Sequence, residues 1–348
     1  MKLYGREWNR KELEARVGRI EQIGGIRRFK LSEGPETGVE QIQVRTGAGL
    51  CYYISPSRGM DISLAEFSGV PLSWQSANGD THPAFFNDAD IGWLRTAVGG
   101  LLMTCGLTYV GAPCEDKGEK LGIHGRAHHL AARHISSSAQ WYGDEYVMQV
   151  SGEIQETAIF KENIRLSREI KSTFGKNEIT IKDKVENLGF EPTPHMILYH
   201  FNFGFPLMSE ETEIQFPSKE VLPRDAGTPL EGYNRWEPPE PGYQERVYYH
   251  QKIIKGKDKI ASAKIFNPRF PLATGDCAIS VVLSWDTSQL PKLVQWKMPG
   301  AGVYVLGIEP ANCYVEGRNV ERQRGELKFL DPGESQTYEI NLELYINE

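Results

Sequence analysis

The chain has 348 residues, with 39 Lys+Arg against 46 Asp+Glu and a formal net charge of −7. With 40% hydrophobic and 24% charged residues, wholesale disorder is excluded. No basic run exceeds Arg27-Arg28, which argues against a nucleic-acid surface, and no run of 18 apolar residues offers a helical membrane span.

The first eight residues, Met1 to Trp8, carry charges where a secretory signal would be apolar, so a cytoplasmic location is expected. Five cysteines, odd in number and widely spaced with no C-x-x-C pair, point to reduced thiols. A helical pattern over residues 7–24 places Leu13, Val17 and Ile20 on one face, with Asn9 and Glu12 as an N-terminal capping signal. From residue 25 the text changes to strands and turns, favoured by 35 Gly and 20 Pro. Strands are predicted at 41–44, 50–54, 146–154, 164–170, 179–188, 278–285, 303–308 and 335–344. Several of these alternate apolar and polar residues, the pattern of antiparallel sheet with one wet face. No βαβ alternation and no G-x-G-x-x-G motif appear, so a dinucleotide fold is disfavoured. The expectation is an all-β chain: a large antiparallel β-sandwich of about fifteen or more strands. Residues 1–348 form one domain, with 1–24 a helical extension. The Pro- and Gly-rich stretch 222–244 is read as a long surface loop flanking a site.

Four constellations carry polar groups suited to chemistry. In Gly122-Ile123-His124-Gly125-Arg126-Ala127-His128-His129, a strand would put His124, Arg126 and His128 on one face, able to grip sugar hydroxyls or an anion. His128 and His129 are read as mainly structural. The His124/His128 spacing also admits a metal on a helix, but Gly125 weakens a helix there and no metal is expected. In Tyr199-His200-Phe201-Asn202-Phe203, His200 and Asn202 share a face in an apolar strand, where burial tunes a histidine for acid–base work; His195 faces the other way. In Gly307-Ile308-Glu309-Pro310, a carboxylate at a strand end precedes a rigid proline and suits a general base. Arg58 and Asp61, in Ser57-Arg58-Gly59-Met60-Asp61-Ile62, and Arg95 are either ligand contacts or scaffold.

The order of these segments, together with Gly99-Gly100-Leu101-Leu102-Met103-Thr104-Cys105-Gly106-Leu107, resembles the aldose 1-epimerase, or galactose mutarotase-like, superfamily, in its less characterised branch. The resemblance implies a β-supersandwich and cofactor-free sugar chemistry, with Glu309 as base, His200 as acid and His124 holding the sugar. The chain departs from the family pattern: His200 lies two residues before Asn202 rather than four, and the segment carrying the family's sugar-binding arginine is missing. Arg58, Arg95 and Arg126 are its candidate replacements. The functional expectation is a mutarotase or epimerase acting on a free monosaccharide or simple derivative, with catalytic His200 and Glu309. Arg58, Asp61, Arg95, His124, Arg126 and Asn202 are expected at the substrate, which is the only expected partner, with neither nucleic acid nor membrane. The alternatives are another sugar isomerase on the same scaffold, metal-assisted, and a non-catalytic carbohydrate-binding protein.

Overall fold

Alternating sequence becomes strands with one buried edge. In Asn163–Thr173, for example, Ile164, Leu166, Arg168 and Ile170 are buried while Arg165, Ser167 and Glu169 between them are partly exposed. The computed structural model describes residues 1–347. It contains an 8-stranded and a 12-stranded sheet, both built from antiparallel ladders. The meander Glu145–Thr157, Asn163–Thr173 and Glu178–Asn187 lies consecutively in the smaller sheet, followed by Ser335–Asn347 and Gly275–Asp286. The middle of the larger sheet runs Arg246–Ile253, Lys292–Gly300, Val303–Ala311, Thr193–Gly204, Leu102–Leu107 and Asp61–Phe67.

The main core lies between the two sheets, where Tyr199, Phe201, Phe203 and Ile308 join Leu166, Ile170, Leu283 and Leu342. The larger sheet is apolar on its other face as well. There Met103, Cys105, Met196, Leu198 and Val294 form a second cluster with Trp93 and Val315 from covering loops. Runs such as Met196–Phe203, apolar except for His200 and Asn202, are what a strand buried on both faces requires.

Two local expectations change. The N-terminal helix is only Arg10–Glu14; Asn9 and Glu12 form the reciprocal capping box, but the chain turns after Ala15 and resumes with a single turn at Ile20–Gln22. The segment around His124 is not a strand. His124 (φ 60°) and Gly125 (φ 78°) are left-handed, and Ala127–His129 forms a 3₁₀ turn. Residues 224–245 do form a long connection, between the neighbouring strands Ser218–Pro223 and Arg246–Ile253. The buried Lys297 anchors it by donating to Gly232 O (2.6 Å) and Arg235 O (2.7 Å) and pairing with Glu237. Among the described residues, no helix is long and apolar enough to cross a membrane.

The sheets are pinned together by a buried charge network. The Arg168 guanidinium lies 2.6 Å from both Asp61 and Asp183 and donates to Thr104 Oγ1 at 2.9 Å. Tyr199 donates to Asp183, and Asp61 accepts from the Thr104 amide and hydroxyl. Removing the cation strands two carboxylates in a low-dielectric interior. Arg168→Met is therefore expected to cost about 3–5 kcal/mol in urea unfolding. A loss under about 1 kcal/mol would show that the network does not hold the sheets together.

Candidate active site

The second face of the larger sheet opens into a cavity of about 760 Å³. Its floor is fixed by strand register. Pairing of Phe201 with Ile308, and of Leu198 with Ala311, sets His200 opposite Glu309, while Trp296 pairs across from Gly307. Because alternate residues point to opposite faces, His200 and Glu309 leave the core with Tyr199, Phe201 and Ile308 on its far side. The ladder between these two strands has no partners at Tyr199–His200 or Glu309–Pro310, where Pro310 has no N–H to donate. Glu309 is thus inside a strand that continues to Ala311, not at its end.

His200 Nε2 lies 3.1 Å from Glu309 Oε1. No hydrogen bond joins them, and Glu309 Oε1 and His200 Nδ1 are both buried without a hydrogen-bond partner. A side chain at 307 would come within 2.6 Å of Glu309 Oε1 and 3.1 Å of His200 Cε1, so glycine there makes room for the pair. Burial pushes the Glu309 carboxyl up to about 8, with Glu245 adding to the rise and Arg224 opposing it. Burial pushes His200 down to about 3, against a partial rise from the Asn202 amide. Both shifts favour the uncharged pair, a carboxylic acid beside a free imidazole.

His124 completes the polar floor, its ring centroid 6.2 Å from that of His200. Its backbone is held by donation to Gly111 O (2.9 Å) and by accepting from the Gly106 amide (3.0 Å). A Cβ at Gly125 would lie 2.2 Å from Gly106 O, and one at Gly122 2.0 Å from Asp88 O. The flanking glycines serve close backbone approach. Burial lowers His124 to about 4, with Arg224 contributing, and its Nδ1 has no partner.

Trp296, 5.5 Å from His200 between ring centroids, and Trp74, 5.9 Å from Trp296, form one wall. The mouth carries Arg224, Asp225 and Glu245 from the two ends of the 224–245 connection. Arg224 donates to Asp225 (2.7 Å) and Glu245 (3.0 Å), and Glu245 also accepts from Trp296 Nε1 (2.9 Å).

Of the residues expected at a ligand, only His124, His200 and Glu309 line this cavity. Arg58 is buried and donates to Thr81 O and to Thr96 O (2.6 Å). Asp61 serves the sheet-pinning network and accepts from or pairs with His128 Nδ1 at 2.7 Å. Arg126 is spent on Asp88, Glu156 and Glu162. Arg95 is exposed in the Gly92–Arg95 turn. Asn202 lies behind the floor, donating to Gly100 O and His200 O. His128 and His129 lie outside the cavity, against Asp61 and Thr96 Oγ1, and His195 faces away, bonded to Tyr338 and Leu107 O. The arginine at the cavity is Arg224, which sequence reasoning missed, as it missed the tryptophans. The only available signal was its place in the connection already read as flanking a site.

The fold is that of the galactose mutarotase-like β-supersandwich. A candidate aldose 1-epimerase from Klebsiella pneumoniae superposes with a TM-score of 0.83 at 26% identity, covering 92% of this chain and 83% of that one. A galactose mutarotase-like protein from Clostridium acetobutylicum gives 0.60 at 14% identity (94% and 100%). Galactose 1-epimerase from Lactobacillus acidophilus gives 0.60 at 12% identity (93% and 100%); these last two likenesses concern the fold alone. Residues 36–344 match the family described as a domain of unknown function, DUF4432, and the chain belongs to that family. No curated protein matches it.

The buried carboxyl has a cost that titrates. A folded-state value of about 8 against an ordinary 4.5 means that the native state keeps a proton the unfolded chain releases. The group's stabilising contribution is full below pH 4.5 and is lost as pH rises through 8. Glu309→Gln is expected to raise stability by about 3–5 kcal/mol at pH 9 and hardly at all at pH 4. Paired denaturant curves at the two pH values check this; an equal difference at both would mean Glu309 titrates normally.

Proposed function

We propose that the chain is a carbohydrate 1-epimerase-like isomerase that opens and recloses the ring of a free sugar by acid–base catalysis. The observation that carries this reading is the buried His200–Glu309 contact of 3.1 Å on the floor of an aromatic-walled cavity. Opening a cyclic hemiacetal needs one group to take the proton from the anomeric hydroxyl and another to protonate the ring oxygen. The C1–O5 bond breaks as the carbonyl forms at C1. Rotation about C1–C2 and reversal of both proton transfers close the ring on the other face.

In the orientation implied by the family resemblance, Glu309 meets the anomeric hydroxyl and His200 the ring oxygen. The pair's single proton rests on Glu309 and crosses to His200 before opening. Burial disfavours that ion pair, and for the same reason sharpens its members. A carboxylate titrating near 8 is a stronger base than an ordinary one, and an imidazolium titrating near 3 a stronger acid. Once the sugar is open, the pair is neutral again. His124 lines the cavity beside the pair, where its ring can meet a hydroxyl, and Trp296 offers an apolar ring face to the sugar's C–H surface.

Anomer exchange of freshly dissolved sugars, followed by polarimetry and NMR, tests the reading. Glu309→Gln and His200→Asn are each expected to lower turnover about 10²–10⁴-fold. The wild-type rate should fall as pH passes about 8, where the pair loses its proton, and that limb should vanish in the residual activity of Glu309→Gln. Full activity of Glu309→Gln would remove the carboxyl from the mechanism.

A further inference from the structure

Each of the two large sheets has two end strands, and an end strand offers a row of backbone N–H and C=O groups on which another strand can form. Three of the four ends are blunted against such pairing. Gly25–Lys30 carries exposed Arg27, Arg28 and Lys30, Ser218–Pro223 carries Lys219, Glu220 and Pro223, and Glu213–Gln215 is three residues long. The fourth, Arg133–Tyr142, is ten residues long and has neither charge nor proline from Ile135 onward.

Most of this edge is regular. A bulge lies between Arg133 and Ser136, after which Ser136–Tyr142 pairs residue by residue with the neighbouring strand, from Ser151 back to Glu145. Among the described residues, its main chain makes no backbone hydrogen bond other than that ladder. Alternate side chains face the core: Ser137, Ala139 and Trp141 are half-buried, and Ala139 and Trp141 pack on the rim of the main core. Ser136, Ser138, Gln140 and Tyr142 are exposed on the other face.

The segment is complementary to itself. Antiparallel pairing about a two-fold axis at Ala139, the middle of the regular stretch, keeps the core-facing residues of both copies on one side. It sets Trp141 against the partner's Ser137 and Tyr142 against the partner's Ser136, so bulky side chains meet small ones. No like charges are opposed along it. At each end it brings the exposed Arg133, which has no ion pair among the described residues, towards the partner's Asp144 and the partner's Glu145, at the exposed tip of the same hairpin. Seven paired residues form about six to eight ladder hydrogen bonds. We propose that Ser136–Tyr142 is the interface of a homodimer, in which two copies pair antiparallel and join their smaller sheets into one continuous sheet. None of these residues lines the cavity, so the proposal stands apart from the acid–base reading. An interface this short belongs with the weaker ones, and dimerisation is therefore concentration-dependent.

Sedimentation velocity of the full chain, from low micromolar to a few hundred micromolar, tests this. The mass is expected to rise from 39.3 kDa towards twice that value. Ser138 and Gln140 are exposed and face each other across the axis. Ser138→Lys combined with Gln140→Lys sets like charges opposite and should weaken association about tenfold or more. Ser138→Glu combined with Gln140→Glu should do the same, and an equimolar mixture of the two variants should dimerise again. Amide hydrogen exchange at Ser136–Tyr142 of the wild type should slow as concentration rises, a reading that needs no variant. A monomer at every concentration, a dimer that the lysines leave intact, a mixture that stays monomeric, or edge amides indifferent to concentration would overturn the proposal.

Discussion

A carboxyl and an imidazole 3.1 Å apart, both out of water, can hold one proton comfortably and two or none only at a cost. Much of the structure around them enforces that condition. The larger sheet is apolar on both faces, so a polar residue on its second face is desolvated unless a cavity opens over it. Antiparallel register sets His200 and Glu309 opposite each other, and Gly307 leaves the volume they occupy. The same burial that makes the pair a poor contributor to stability makes it a potent acid and base.

Other charged groups of the interior hold the scaffold. Asp61, Arg168 and Asp183 satisfy one another and fix the two sheets in relation. Arg58 and Arg126 are likewise consumed by backbone carbonyls and carboxylates. Trp93 Nε1, His124 Nδ1 and Glu309 Oε1 are buried beside the cavity without partners, as are Trp236 Nε1 and Trp285 Nε1 elsewhere in the interior.

Much of this was legible in the chain. Period-two alternation at Ile164–Ile170 and Ile179–Leu188 revealed antiparallel strands because one face of those strands is wet. His200 stood out as a polar residue in an otherwise apolar strand, and Glu309 by the proline after it. The segment around His124 was misread as a strand, because glycines that allow close backbone approach look the same in sequence as glycines in a bulge. Arg58, Asp61 and Arg126 were ambiguous for a related reason. A buried arginine that braces carbonyls and one that grips a ligand have the same local sequence, and only long-range partners separate them. Arg224 and Trp296 reach the cavity through a 22-residue connection and a strand partner, neither visible locally.

With no sugar bound, the proton shared by His200 and Glu309 is expected to rest on Glu309. Infrared difference spectroscopy of wild type against Glu309→Gln, titrated across pH 5 to 9, reads this directly through the stretch of the protonated carboxyl. A protonated-carboxyl band assigned to Glu309 that persists at pH 7 and disappears around pH 8 is the predicted result. A band already gone by pH 6, with a carboxylate in its place, would contradict it.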